Sequence, residues 1–167
     1  MSPNKRFCFP SYVKKMDNNL MSVDEDDIYY RDESGVYLIG TKAQDLVRTD
    51  DTNDTDSSFD RNRYYTKEFA IMARTAVAIG LMDNEERKFE PQFKPAVQTG
   101  LPAAYLKEDA PKIKAAFTQP GIYEVRLGSG KWMRFENTLK NGDVNVMSQP
   151  AGTLNSIMFN DDGERVD

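Results

Sequence analysis

The chain has 167 residues, 39% of them hydrophobic and 29% charged, with a formal net charge of −5; that length suits one domain built around a lean core. It contains no histidine and one cysteine, which excludes imidazole-based nucleophilic or general-base chemistry, most zinc sites and an internal disulfide. An acidic balance without a long basic run argues against backbone-driven nucleic-acid binding.

The N-terminus leads into no apolar h-region, so no secretory leader is expected and the chain reads as cytoplasmic. Phe7–Val13 is an aromatic and β-branched run that predicts a strand, with Pro10 placing it at an edge or a bulge. Cys8 lies between Phe7 and Phe9 and reads as a buried, inert thiol. Asp24–Asp27 predicts a solvated acidic turn. Ile28–Tyr30 and Val36–Gly40 flank a charged, Gly-terminated turn and predict a β-hairpin. A short helix over Thr41–Val47 follows.

Residues 49–62 are dominated by Asp, Thr, Ser and Asn and read as a flexible acidic loop. The aspartates invite a calcium-loop reading, but no register supplies both the glycine and the glutamate of an EF-hand. Thr66–Met82 is the clearest helix, with Thr66 as cap and Glu68 in the first turn. Phe69, Met72, Ala73, Ala76, Val77 and Gly80 recur at helical spacing and predict one core-facing stripe, its small residues suited to a close sheet. After a charged, Pro-punctuated linker, Ala96–Thr99 predicts a strand that runs into Gly100-Leu101-Pro102. Asp109 as cap and Pro111 in the first turn then predict a helix burying Ile113, Ala116 and Phe117.

Ile122–Leu127 and Lys131–Glu136 flank Gly128-Ser129-Gly130 and predict a second hairpin. Gly128–Lys131 resembles the end of a phosphate-binding loop, but Val125 and Trp132 occupy positions where that motif needs glycine and a hydroxyl residue. Trp132, Met133 and Phe135 read as hairpin packing. Val144–Met147 predicts a strand, and Ser148-Gln149-Pro150 opens a helix with Leu154, Ile157 and Met158 inward. No dinucleotide fingerprint and no spaced pair of catalytic carboxylates occurs.

One pattern appears twice: a strand, a polar or glycine-containing break, and a helix start, at Val97–Pro102 and at Val144–Gly152. In α/β folds ligands gather beyond the carboxyl ends of strands. A glutamine at such a point can orient a water for attack on a phosphoryl group.

The segments GVYLIGTKA (Gly35–Ala43), RYYTKEFAIMARTAVAIGL (Arg63–Leu81), VQTGLPAAYLKED (Val97–Asp109) and VNVMSQPAG (Val144–Gly152) occur in order. Together they resemble the N-terminal lobe of the ParM/StbA-type actin-like proteins of plasmids and phages. The resemblance implies an α/β fold, a mixed sheet with flanking helices, as in the ribonuclease H-like lobe of actin-like ATPases, with 1–167 forming a single incomplete lobe. It implies ATP and Mg as cofactors of the intact family, filaments that move DNA through an adaptor protein, and no membrane partner. It places Gln149 as the catalytic residue near the attacking water, the Thr99–Pro102 loop at the edge of the same domain, and Asp161–Gly163 before the strand that bears a second phosphate loop.

Neither phosphate-binding loop of the family has a counterpart in this sequence, so the chain by itself is expected to bind ATP poorly. The family's first strand also lacks one, which predicts an exposed edge at Phe7–Val13 and either self-association or pairing with a missing C-terminal half. The alternatives are a stand-alone, non-catalytic interaction module of the same fold and an unrelated α+β domain.

Overall fold

The computed structural model describes residues 7–16, 23–50, 61–82, 95–151 and Met158. The strands are β1 (Val13–Lys15), β2 (Ile28–Asp32), β3 (Gly35–Ile39), β4 (Val97–Leu101), β5 (Ile122–Leu127), β6 (Met133–Glu136) and β7 (Val144–Ser148); the helices are α1 (Thr41–Asp50), α2 (Lys67–Met82) and α3 (Leu106–Thr118). The described strands divide between two sheets. One is antiparallel and five-stranded, in the order β1-β3-β2-β5-β6, and the other is the parallel pair β4-β7.

Both expected hairpins form. The β2–β3 hairpin closes at Asp32↔Gly35 and the β5–β6 hairpin pairs Tyr123 with Phe135. They join through β2–β5, with Tyr30 opposite Val125. Alternation then sorts the side chains onto two faces. Ile28, Tyr30, Tyr37, Ile39, Tyr123, Val125 and Phe135 pack with Ile71, Ala78 and Ile79 of α2. Tyr29 and Leu38 turn the other way, onto Ala43 of α1. Trp132 stands edge-on to Tyr29 at 6.4 Å and lies under the guanidinium groups of Arg31 and Arg126; it packs as the hairpin reading expects.

Several elements differ from the sequence reading. The first strand is Val13–Lys15 rather than Phe7–Val13, because Pro10 offers no N–H to a ladder and half-buried Phe9 instead packs against the core. Cys8 is exposed, not buried. Helix α1 runs on to Asp50, and a 3₁₀ turn begins at Arg61, so both ends of the expected 49–62 loop are helical; residues 51–60 lie outside the described residues. So do 83–94, Leu154, Ile157 and the Asp161–Gly163 turn, whereas Met158 is helical and half-buried.

Helix α2 starts as expected, the Phe69 amide donating to Thr66 Oγ1 at 3.2 Å. Its buried face is Ala70, Ile71, Ala73, Arg74, Thr75, Ala78 and Ile79, while Ala76 and Gly80 are exposed. The stripe is turned by one residue, about 100°, from the one the sequence suggests. The cause is polar residues whose needs are met internally: Thr75 Oγ1 donates to the Ile71 carbonyl at 2.8 Å, and the Arg74 guanidinium meets Tyr30 and the Gln119 and Pro120 carbonyls. Helix α3 begins at Leu106, straight from a 3₁₀ turn over Ala103–Tyr105. Asp109 is therefore not its cap but a buried side chain bonded to Lys112 Nζ at 2.7 Å, and Pro111 sits inside the helix. Ile113 and Ala116 are buried as expected, Phe117 only half so.

The Asp24–Asp27 turn is solvated only in part. Asp27 is buried and its Oδ2 accepts from the Asp24 amide (2.8 Å), Tyr29 Oη (3.0 Å) and Lys42 Nζ (2.7 Å). Burial pushes its carboxyl up, but the hydrogen bonds from Lys42, the Asp24 amide and Tyr29, with the Lys42 charge, outweigh that and hold it below the ordinary value. A depressed folded-state pKa gives stability that is present above the unfolded value of about 3.9 and lost as pH falls through the folded one. Asp27→Asn is expected to cost about 2 kcal/mol at neutral pH. In urea titrations between pH 6 and 2 the gap to the unaltered chain should close as the pH drops; a gap independent of pH would show that the carboxylate charge contributes nothing.

Candidate functional site

The parallel pair β4–β7 brings the two strand-to-helix breaks together. Its register places Gly100 opposite Met147 and Leu101 opposite Ser148, so both carboxyl ends finish side by side. The pair rests on α3 through Leu101, Ile113 and Val146, with Tyr64 closing the cluster. Beyond Ser148 the backbone turns helical at residues 149–151.

Gln149 is the first residue past β7 and is exposed. It crosses the end of β4 so closely that a Cβ on Gly100 would stand 3.3 Å from Gln149 Cγ and 3.8 Å from its Cα. The expected Thr99–Pro102 loop is strand as far as Leu101, and its glycine, inside β4, gives Gln149 room, a role that the sequence pattern does not reveal. Gln98, on the exposed side of β4, donates to Met147 Sδ at 3.2 Å. Pro102 opens the 3₁₀ turn of Ala103–Tyr105 that feeds α3.

The arrangement has the form of a ligand edge: two parallel strand ends, a helix start and an amide side chain able to donate and accept. Gly128–Lys131, the sequence's nearest approach to a phosphate loop, forms the β5–β6 turn in the other sheet. Among the described residues no group of three or more His, Cys, Asp or Glu side chains could hold a metal ion. The described residues likewise gather no ligand set for a triphosphate and its magnesium.

The sequence pattern of the family described as "Actin like proteins N terminal domain" matches residues 1–152. The chain belongs to that family. Two solved structures share its fold. The apo pSK41 ParM protein superposes with a TM-score of 0.61 at 15% identity, over 95% of this chain and 48% of that one. A non-polymerisable quadruple mutant of pCBH ParM gives 0.57 at 15% identity, over 95% of this chain and 45% of its own. The actin-like lobe described here therefore spans about half the length of the structures it resembles. No curated protein matches it.

Outside this lobe's strand ends, a second concavity of about 1010 Å³ lies between the β2–β3 turn, the start of α2 and the end of α3, lined in part by Asp32, Lys67, Arg74 and Lys112. Two of its cations have carboxylate partners, Arg74 Nη1 lying 3.9 Å from Asp32 and Lys112 bonding Asp109. No helix among the described residues is long and apolar enough to cross a membrane.

Proposed function

We propose that this lobe is the N-terminal portion of an actin-like, filament-forming ATPase that segregates plasmid or phage DNA in the cytoplasm. The observation that carries the reading is Gln149, held at the carboxyl end of β7 against Gly100 of β4 in a chain of the actin-like family. In that role its amide orients the water that attacks the γ-phosphoryl group. ATP and Mg are gripped by parts of an intact actin-like protein that this chain does not contribute. DNA is reached through an adaptor, in keeping with the acidic charge of −5.

Phosphoryl transfer depends on fixed contacts to the nucleotide from both sides of a cleft, so the 167-residue chain alone should show no micromolar ATP affinity in equilibrium dialysis. Mixed with a polypeptide carrying the C-terminal half of an actin-like protein, it should yield hydrolysis that Gln149→Ala lowers by about 10²-fold or more while leaving nucleotide affinity within a few-fold. Tight ATP binding by the chain alone would contradict the assignment, as would hydrolysis indifferent to Gln149. If no partner half restores activity, the lobe is a non-catalytic interaction module.

A further inference from the structure

Among the described residues both ends of the five-stranded sheet are open, and they offer different things to another strand. β1 is three residues long and carries Lys14 and Lys15; short, lysine-bearing edges resist strand addition. The opposite edge, β6, reads Met133-Arg134-Phe135-Glu136, with neither lysine nor proline. The self-association expected at Phe7–Val13 is therefore better served by β6 than by β1.

The direction of the β6 backbone groups follows from its ladder. Phe135 is opposite Tyr123, and the Asn137 amide donates to the Gly121 carbonyl at 2.9 Å. Backbone groups point to alternate sides along a strand. Arg134 and Glu136 therefore turn their N–H and C=O groups outward, away from β5. Their side chains are exposed, on the face opposite the core. Met133, 39% exposed, lies at the same edge on the core side.

We propose that β6 pairs with β6 of a second copy of this chain, antiparallel about a two-fold axis, with Arg134 opposite Glu136 of that copy. The register follows from charge and from the pleat. To keep both cores on the same side of the joined sheet, outward residues must face outward residues. Four two-fold registers centre on a residue of this strand. One sets Arg134 against Arg134 and one sets Glu136 against Glu136, and like charges directly opposite are unfavourable. The one centred on Met133 sets Arg134 against Trp132 and forms no ion pair. The one centred on Phe135 forms two Arg134–Glu136 pairs. An isologous contact of this kind closes after two copies. In it Arg134 lies between its own neighbour Glu124, opposite it on β5, and the incoming carboxylate. A four-residue edge makes the dimer weak, because association must overcome lost rotational and translational freedom.

The contact requires neither nucleotide nor the rest of an actin-like protein, so its failure leaves the ATPase reading untouched. Sedimentation equilibrium of the nucleotide-free chain, taken up to about 1 mM so that even millimolar association registers, should show a monomer–dimer equilibrium. Arg134→Glu and Glu136→Arg should each weaken it by about tenfold or more, since both of its ion pairs become like-charged. The double variant R134E/E136R should restore it to within a few-fold. In a Cys8→Ser background, R134C mixed with E136C should cross-link on oxidation, whereas each alone should not. A strict monomer throughout, a dimer insensitive to both single changes, or a double variant no better than the singles would overturn the proposal.

Discussion

Arg74→Met is expected to lower the unfolding free energy by about 3–5 kcal/mol, the range for removing one partner of a buried charged network. The Arg74 side chain is only 9% exposed, and its guanidinium joins parts of the chain that lie far apart in sequence. Nη1 donates to Tyr30 Oη at 2.9 Å, and Nη2 donates to the Gln119 and Pro120 carbonyls at 3.2 and 3.1 Å. It also lies 5.5 Å from the Tyr123 ring centre, and the Tyr123 hydroxyl donates back to the Arg74 carbonyl at 3.2 Å. A helix, two strands and the turn after α3 thus converge on one cation.

Methionine keeps the stem volume and removes every one of those donors. Asp32 then keeps Tyr30 and Ser34 as hydrogen-bond donors and the positive charge of Lys67, but loses that of Arg74. The Gln119 carbonyl keeps Asn137, whereas among the described residues no other donor to the Pro120 carbonyl accompanies Arg74. These remaining partners place the loss toward the lower end of the range. Arg74→Lys should fall between the two, because one ammonium cannot reach three acceptors in the planar pattern of a guanidinium. Urea titration of the three chains measures the effect. A loss under about 1 kcal/mol for Arg74→Met would mean that water replaces the guanidinium at little cost, the behaviour of an exposed ion pair.

Burial of the Tyr30 hydroxyl raises its pKa to about 12 despite the Arg74 contact, and burial also moves Tyr123 well upward. Neither phenol titrates in the physiological range, so the network has one protonation state there. It acts as a fixed brace between the antiparallel sheet and the α3 side of the lobe.

Arg74 also marks where the sequence stops being informative. An arginine in a helix belongs, by polarity, on the solvent side, whereas Arg74 lies in the buried face of α2. Its acceptors are 44 to 46 residues away in sequence, where no local pattern points. Asp27 is the same case at shorter range: an acidic turn reads as solvated until Lys42, 15 residues on, supplies the partner that lets it be buried. The hairpins were legible because alternation and glycine turns are local signals. The way they join was not, since the Arg31–Glu124 pairing across β2 and β5 spans 93 residues. The position of Gln149 was legible from a strand, a break and a helix start; that Gly100 is the residue making room for it emerges only from the parallel register.

Gly128→Ala should cost about 2–5 kcal/mol, combining a left-handed backbone strain of roughly 1–2 with an overpacking penalty of about 1–3. Gly128 has φ +50°, and a Cβ there would stand 2.6 Å from the Glu25 carbonyl oxygen and 3.0 Å from its Cα. Those atoms are backbone and cannot swing aside as a side chain would. The same residue donates its amide to the Asp27 carbonyl at 2.7 Å, so relieving the clash separates the β5–β6 turn from the turn that carries the Asp27–Lys42 pair. Gly142 is the control: its φ is not positive and a Cβ there meets nothing within 4 Å, so Gly142→Ala should be neutral or slightly stabilising through the unfolded chain. In thermal melts the first substitution should lower Tm by roughly 4–20 °C and the second shift it by no more than about 2 °C. Equal, small shifts would show that the two turns part without cost and that their contact is incidental to the fold.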